Sequence, residues 1–358
     1  MQKIKLSGIL FIAFLALSLS MALFYLPTAW NNVENPTRET IMVGTWTPEF
    51  EKSLNESLPV FEPSRNLWGQ IQYALFGQGR RGVIVGDDGW LFTDEEFSCL
   101  RGAEAHWAEN MDYVKSVKET IESKGVSLYV VLVPAKARVY QDYLGKNRMT
   151  SCRESVYSNT LGFMQKNGIM VTGLLEGMKE HKNRDALFLR SDTHWTPEGA
   201  EYAAELVSEG FDKSKGLTEK IYETELKDMT EHEGDLLRYL PGVRNNEIKS
   251  DEISVYVTEE KIEDAEGDQD SLGLFGDDVP PVTLVGTSYS ANPKWHFVDF
   301  LKDKLQIDIF NAADEGLGPF AVMKTYLGGK AWENSAPSVV IWEIPERYVV
   351  VDQSNSAK

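Results

Sequence analysis

Short apolar segments alternate with stretches of helical pattern along the chain from about residue 102 onward. Strands that are apolar on both faces and separated by helices are typical of a parallel sheet that is covered on both sides. The sequence therefore predicts an α/β protein with three layers, α/β/α, and a parallel central sheet. The predicted strands cover 126–133, 169–175, 186–189, 282–285, 307–310 and 339–342.

The N-terminal segment has the composition of a membrane helix. Lys3 and Lys5 precede a stretch without charged residues, 6–33, whose apolar part, 6–26, is long enough to cross a bilayer. Basic residues before this stretch and a polar chain after it put the N-terminus in the cytoplasm and the rest outside. We predict an uncleaved anchor over residues 1–29. A cleaved signal peptide is the alternative, and both export the body of the protein.

The remaining chain divides into a tether and one domain. Residues 30–65 are polar and rich in Asn, Thr, Glu and Pro, which predicts a tether, and 66–358 form the exported domain, opening with a helix over 66–76. Asp88-Gly89 between two apolar runs predicts a tight hairpin. The acidic, Gly-containing stretch 258–278 predicts a solvated surface loop, and a calcium loop is the alternative.

The charge balance limits the possible partners. Among 358 residues, 55 acidic side chains and 36 basic ones leave a formal charge of -19. Such a surface repels polyphosphate, so nucleic-acid binding is not expected. It also disfavours tight, surface-wide binding of an anionic polysaccharide, and leaves room for a short encounter in one local groove.

Cys99 and Cys152 are the only cysteines. An even number of cysteines in an exported chain predicts one disulfide, and two buried free thiols are the alternative. The spacing of Cys and His residues does not resemble a zinc site, so we expect neither a metal nor another cofactor.

An Asp-x-His motif is the first candidate for catalysis. Asp192 and His194 lie between a predicted strand end and a helix that Thr196 and Pro197 open. Sites in parallel sheets gather at the carboxyl ends of the strands. An Asp beside a His can orient the imidazole and stabilise its charged form, as in a serine triad. The alternative is a surface Asp and a core His held by local hydrogen bonds.

A Gly-Thr-Ser turn is the second candidate. It follows the predicted strand 282–285 and precedes a helical stretch, so the turn exposes the Ser288 hydroxyl together with free backbone N–H groups. Such groups can hold a developing oxyanion. An ordinary helix cap is the alternative. We prefer Ser288 to Ser290, which falls in the first helical turn. Together the two motifs predict serine acyl transfer.

Six motifs follow one another along the chain: Gly89–Phe92, Val133–Tyr140, Ser191–Trp195, Gly234–Leu237, Gly286–Ser290 and Trp342–Arg347. In this order they resemble the alginate O-acetyltransferase family, the AlgJ and AlgX type, within the SGNH-hydrolase superfamily. In this chain the serine follows the Asp/His pair, which indicates a circularly permuted order of motifs. The pair is spaced Asp-x-His, whereas the superfamily more often has two residues between Asp and His. The alginate enzymes share both of these differences from the superfamily. The short segment after Arg347 favours the AlgJ type over the AlgX type, which carries a carbohydrate-binding module.

The resemblance implies a function and a setting. It implies Ser288 as nucleophile, His194 as base and Asp192 as the residue that orients the base, acting through an acetyl-serine intermediate. It further implies acetylation of alginate on the periplasmic side of the inner membrane. The implied partners are a membrane-bound acyltransferase as acetyl donor, other alginate acetylation proteins, and alginate mannuronate as direct or indirect acceptor. The alternatives are a periplasmic carbohydrate acetyl esterase and a non-catalytic adaptor in the acetylation complex.

Further side chains are candidates for contact with substrate or with the oxyanion. Lys136, Arg138 and Arg347 could meet a uronate carboxylate or line the oxyanion site, and structural ion pairing is the alternative. Trp195 could stack on a sugar ring, and core packing is the alternative. Tyr289, next to the serine, completes this set of candidates. We also expect Glu343, together with Arg347, to buttress the site.

Overall fold

The computed structural model describes residues 6–213, 217–243, 248, 250–261 and 279–353. The chain forms two compact units, Met1–Gln78 with Leu240–Arg244, and Gly79–Tyr239 with Asn245–Lys358. The strands are β1 (Val83–Val85), β2 (Leu91–Thr93), β3 (Ser127–Val133), β4 (Met170–Gly173), β5 (Ile221–His232), β6 (Asp251–Lys261), β7 (Val282–Val285), β8 (Ile309–Asn311) and β9 (Val339–Pro345). The α-helices are α1 (Leu6–Asn31), α2 (Arg38–Val43), α3 (Trp46–Ser57), α4 (Phe61–Phe76), α5 (Ala103–Glu122), α6 (Lys136–Val139), α7 (Ser151–Glu154), α8 (Val156–Lys166), α9 (Leu175–His181), α10 (Pro197–Gly210), α11 (Ser288–Ala291), α12 (Phe297–Leu305), α13 (Gly318–Leu327) and α14 (Lys330–Asn334).

The first unit contains the helices α1 to α4. By length and composition α1 is long and apolar enough to cross a membrane. At its C-terminal end the Trp30 ring meets Trp46 and Phe50 of α3 at centroid distances of 5.3 and 5.9 Å. The stretch 30–65, predicted as a tether from its polar composition, is helical over much of its length. The aromatic cluster packs α3 against the end of α1. The role of 30–65 as a tether stays a prediction.

A five-stranded parallel sheet forms the centre of the second unit, in the order β4-β3-β9-β7-β8. Strands β3 and β9 are buried along their whole length, which explains why they are apolar apart from Ser127 and Glu343. Helix α5 contacts α8 through the rings of Trp107 and Phe163 and α13 through the rings of Tyr113 and Phe320, and these three helices form one covering layer. Helix α10 contacts α9 and α12, and these three form the other layer. The predicted three-layer α/β/α fold is confirmed.

The carboxyl ends of the parallel strands bring distant segments to one edge of the sheet. Strand β7 leads through Gly286 and Thr287 into α11, which begins at Ser288. The segment after β3 carries Lys136, and the segment after β9 carries Arg347. This edge is therefore where the candidate residues of the sequence meet.

Two smaller predictions hold in the second unit. Strands β1 and β2 pair in antiparallel register, Val83 opposite Thr93, and Asp88 and Gly89 in the turn both have positive φ, 53° and 77°. That is the backbone of a tight hairpin turn. Cys99 and Cys152 form a disulfide with a Cα–Cα distance of 6.0 Å.

The predicted strand 186–189 was wrong, because this segment does not join the sheet. Its backbone folds back on the chain that follows: the N–H of Leu189 donates to the His194 carbonyl (3.2 Å), and that of Thr196 donates to the Leu187 carbonyl (3.1 Å). A single antiparallel bridge joins Phe188 and Trp195. The apolar side chains fill the core, while the backbone groups shape the loop that carries Asp192.

An antiparallel ribbon of β5 and β6 is present that the sequence analysis did not predict. Its strands carry acidic side chains at many exposed positions and so lack the alternation by which a half-buried strand is identified. The acidic stretch 258–278, predicted as a surface loop, begins inside β6, and its remainder, 262–278, lies outside the described residues.

Candidate active site

Asp192, His194 and Ser288 form a continuous chain of hydrogen bonds. The Ser288 hydroxyl lies 2.7 Å from Nε2 of His194, and Nδ1 of the same ring lies 2.6 Å from Oδ1 of Asp192. An ionised carboxylate only accepts, so Nδ1 carries the proton and Nε2 accepts from the serine. Asp192 is 2% exposed, whereas Ser288 is half-buried. In this arrangement the imidazole can take a proton from the hydroxyl of a half-buried serine.

A buried carboxylate fixes the turn that presents Ser288. Glu343 of β9 accepts from the Thr287 N–H (2.7 Å), from the Thr287 hydroxyl (3.1 Å) and from the Ser290 hydroxyl (3.1 Å). A Cβ atom at Gly286 would lie 2.5 Å from Oε2 of Glu343, so only glycine fits between the turn and this carboxylate. Glu343 thus buttresses the turn, and Ser290 points into the core.

Donors surround both oxygens of Asp192. Oδ1 accepts from the backbone N–H and Nδ1 of His194, and Oδ2 accepts from Nε2 of His232 (2.8 Å) and the N–H of Asp235 (3.0 Å). Burial alone would raise the pKa of Asp192, but the hydrogen bonds from His194 and His232 outweigh it and hold that pKa well below its usual value. The carboxylate is therefore ionised, as a group that orients an imidazole must be.

The side chain of Lys136 supports the loop that carries Asp192. Its buried ammonium donates to the backbone carbonyls of Leu91 (2.5 Å), Arg190 (3.0 Å) and Asp192 (2.9 Å). Burial lowers the pKa of Lys136 to about 8, and the negative charge of Glu96 opposes that change. Lys136 thereby joins the β1–β2 hairpin to residues 190–195, here called the catalytic loop because they include the candidates Asp192 and His194.

Aromatic rings enclose the imidazole. The His194 ring stacks on Trp295 at 5.3 Å and 20°, and it lies 4.9 Å from the Tyr289 ring. Trp195 is 0% exposed and packs edge-on against Tyr289, whose hydroxyl donates to the Thr193 carbonyl (2.8 Å). Stacking limits the orientations of the imidazole, because rotation of the ring would break both contacts.

Comparison with known proteins identifies the kind of domain that carries this site. A family model described as "SGNH hydrolase-like domain, acetyltransferase AlgX" matches residues 83–346. The chain belongs to this family. The family expected from the six sequence motifs is thereby confirmed.

Relatives of this family member share most of its length. A protein of Pseudomonas putida named "Probable alginate O-acetylase AlgJ" is 38% identical over 314 residues, which cover 87% of this chain and 81% of the relative. The alginate biosynthesis protein AlgX of Pseudomonas syringae pv. tomato is 30% identical over 275 residues, 74% of this chain and 55% of that protein.

Solved structures agree with the sequence relatives. The O-acetyltransferase domain of Pseudomonas putida AlgJ superposes with a TM-score of 0.70 at 37% identity, covering 78% of this chain and 96% of that domain. AlgX of Pseudomonas aeruginosa has a TM-score of 0.59 at 21% identity, covering 75% of this chain and 63% of that one, a likeness of fold.

The basic candidates predicted from the sequence make structural contacts in this domain. Arg138 forms an ion pair with Glu346 at 2.8 Å. Arg347 donates to the hydroxyl of Tyr289 at 3.3 Å and lies 3.3 Å from the carboxylate of Glu95. These contacts, together with the carbonyl partners of Lys136, agree with the alternative of structural pairing. The buried Trp195 likewise agrees with core packing.

A group of ligand-type atoms lies next to the serine. One such atom from each of Asp192, His194 and Asp235 falls within 4.8 Å of the others. The atoms of Asp192 and His194 are already engaged in the hydrogen-bond chain, and the Asp235 carboxylate accepts from the N–H and the hydroxyl of Thr193. Hydrogen bonding accounts for this cluster, and the expectation of no metal stays a prediction.

Sequence reasoning missed His232, Asp235 and Trp295. The motif Gly234–Leu237 contains Asp235, but the motif alone predicts no role for this residue. Gly234 is the signal that could have found it, because a Cβ atom at this position would lie 2.1 Å from the Ser191 carbonyl oxygen. Only glycine allows the segment after β5 to approach the catalytic loop so closely.

Replacing Lys136 with Met is expected to destabilise the protein by about 2–4 kcal/mol, because three backbone carbonyl oxygens, two of them in buried hydrogen bonds, lose a charged donor. The free energy of unfolding of the full-length protein in urea measures the effect. Lys118→Met, which removes a partly exposed lysine that pairs with Glu122 on α5, is the matched control and should change stability by less than about 1 kcal/mol. Equal losses in the two variants would contradict the proposed role of Lys136.

Proposed function

We propose that this protein is an O-acetyltransferase that transfers acetyl groups to alginate through an acetyl-serine intermediate. The hydrogen-bonded chain from Asp192 through His194 to Ser288, at the carboxyl edge of the sheet, carries the proposal. The relatives named alginate O-acetylase support the choice of the polymer. The half-buried position of Ser288 supports its role as nucleophile, because an acyl donor must reach it.

The first half of the reaction forms the acetyl-enzyme. The Ser288 hydroxyl attacks the carbonyl carbon of an acetyl donor while Nε2 of His194 takes its proton. The oxyanion that forms is held by backbone N–H groups, with the amide of Ser288 at the start of α11 as the proposed donor. When the intermediate collapses, the leaving group departs with the proton of His194, and the acetyl group remains on Ser288.

The second half transfers the acetyl group to the acceptor. A sugar hydroxyl enters, His194 removes its proton, and the hydroxyl oxygen attacks the acetyl carbonyl. Collapse of the second intermediate breaks the ester bond to Ser288, which regains its proton from His194. Throughout, the Asp192 carboxylate stabilises the imidazolium and keeps the proton on Nδ1.

The setting of the reaction is proposed from the N-terminal helix. Residues 1–29 anchor the chain in the inner membrane, 30–65 connect it, and 66–358 act on the periplasmic side. A membrane-bound acyltransferase supplies the acetyl group, and other alginate acetylation proteins and mannuronate residues of alginate take part. The charge of -19 favours a brief, local encounter with the anionic polymer.

Product analysis tests this proposal. The full-length protein is incubated with a chromogenic acetyl ester and mannuronate oligomers, with and without the membrane acyltransferase, and mass spectrometry detects oligomers that gain an acetyl group. We expect acetylated oligomers with the wild type and none with Ser288→Ala. If acetate is the sole product in every mixture, the protein is an esterase. If neither product forms, it is a non-catalytic adaptor.

A further inference from the structure

The catalytic loop rests against one end of the β5–β6 ribbon. At that end His232, the last residue of β5, pairs with Asp251, the first residue of β6. The Asp251 carboxylate accepts from the N–H of Arg190 (2.9 Å) and of Ser191 (2.9 Å). His232 reaches the next residue of the same loop, Asp192. The two members of one cross-strand pair thus hold successive residues of the catalytic loop.

His232 contacts the carboxylate of Asp192 on the oxygen that His194 leaves free. Its Nε2 lies 2.8 Å from Oδ2, while Nδ1 of His194 lies 2.6 Å from Oδ1. The His232 side chain is buried and meets the Trp295 ring edge-on at 5.3 Å. Because the same Trp295 ring stacks on His194, both imidazoles are packed against one support.

We propose that His232 is a positioning residue for the acyl-transfer reaction. Without His232, Oδ2 of Asp192 would keep a single donor, the N–H of Asp235 (3.0 Å), and the carboxylate would be freer to rotate about its Cβ–Cγ bond. The hydrogen bond from the His232 side chain adds a second donor to Oδ2, so Oδ1 stays directed at Nδ1 of His194 when the imidazole becomes charged. His232 therefore acts on Ser288 through Asp192 and His194. This inference rests on the proposed function of the triad.

A pair of substitutions at this position separates positioning from simple loss of packing. His232→Ala removes the donor, and kcat for acetyl-ester cleavage is expected to fall about 10- to 100-fold with KM changed less than about twofold. His232→Gln places an amide N–H near the position of Nε2, and it should recover kcat to within about fivefold of the wild type. Thr230→Ala, an exposed position on the same strand, is the matched control and should leave kcat unchanged.

The outcomes separate this inference from the proposed function. The labelling rate of Ser288 by a sulfonyl fluoride reports the reactivity of the serine without any acetyl acceptor, and it should follow kcat in all four proteins. Wild-type activity in His232→Ala, or equal losses in the Ala and Gln variants, overturns the positioning role. A wild type that labels but never acetylates mannuronate overturns the proposed function alone. A wild type that neither labels nor cleaves esters overturns both.

Discussion

Ser288→Ala is expected to lose at least about 10⁴-fold of the rate of acetyl-ester cleavage, and acetyl transfer with it. The alanine leaves His194 without a hydroxyl to deprotonate, so the acetyl-enzyme does not form. Steady-state cleavage of a chromogenic acetyl ester measures the loss. Mass spectrometry of a sulfonyl-fluoride adduct identifies the labelled peptide, and it should locate the adduct on Ser288 in the wild type.

Ser290→Ala is the control for this substitution. The Ser290 hydroxyl is buried and donates to Glu343, so the variant should keep most of its activity and its label. The melting temperature of Ser288→Ala should stay within about 2 °C of the wild type, since a half-buried hydroxyl is removed. Labelling that persists in Ser288→Ala would show that Ser288 is not the nucleophile.

The fold was predictable where short apolar runs alternate with helical stretches along the chain. Strands β3 and β9 are almost entirely apolar, which is typical of strands in a parallel sheet that is covered on both faces. The site was predictable because both of its halves follow apolar segments. The turn before Ser288 leaves a strand of the sheet, and the Asp-x-His motif precedes a helix that Thr196 caps.

The rest depended on contacts between residues far apart in sequence. The segment 186–189 has the composition of a strand, but its backbone pairs locally, as in the hydrogen bond from Leu189 to His194, and does not join the sheet. The β5–β6 ribbon lacks the alternation of apolar and polar residues by which its strands could have been predicted. His232 lies 40 positions from Asp192, and no local pattern joins them. For Lys136 the sequence left contact with substrate and structural ion pairing open, and its three carbonyl partners favour a structural role.

Asp192→Asn is expected to lower kcat about 10³- to 10⁴-fold while leaving Ser288 in place. The neutral amide cannot stabilise the imidazolium, and it favours the tautomer of His194 that donates to the serine where it should accept. The acetyl-ester rate at several pH values measures the loss. Near-wild-type activity in Asp192→Asn would show that the carboxylate does not orient the imidazole, whatever the distance between them.

The same substitution should destabilise the fold in a manner that depends on pH. The NH₂ group of an asparagine would face one of the donors that now bind the Asp192 carboxylate, and two donors cannot bind each other. We expect this to lower the free energy of unfolding by about 1–3 kcal/mol at neutral pH. The pKa of Asp192 is lowered in the folded protein, so its carboxylate stabilises the fold above the ordinary value of about 4. That contribution is lost progressively as the pH falls below about 4 towards the lowered pKa. Urea denaturation at pH 7 and at about pH 3 should therefore show that the difference in free energy of unfolding between wild type and Asp192→Asn is smaller in acid. A difference of the same size at both pH values would mean that the charge of Asp192 adds nothing to stability.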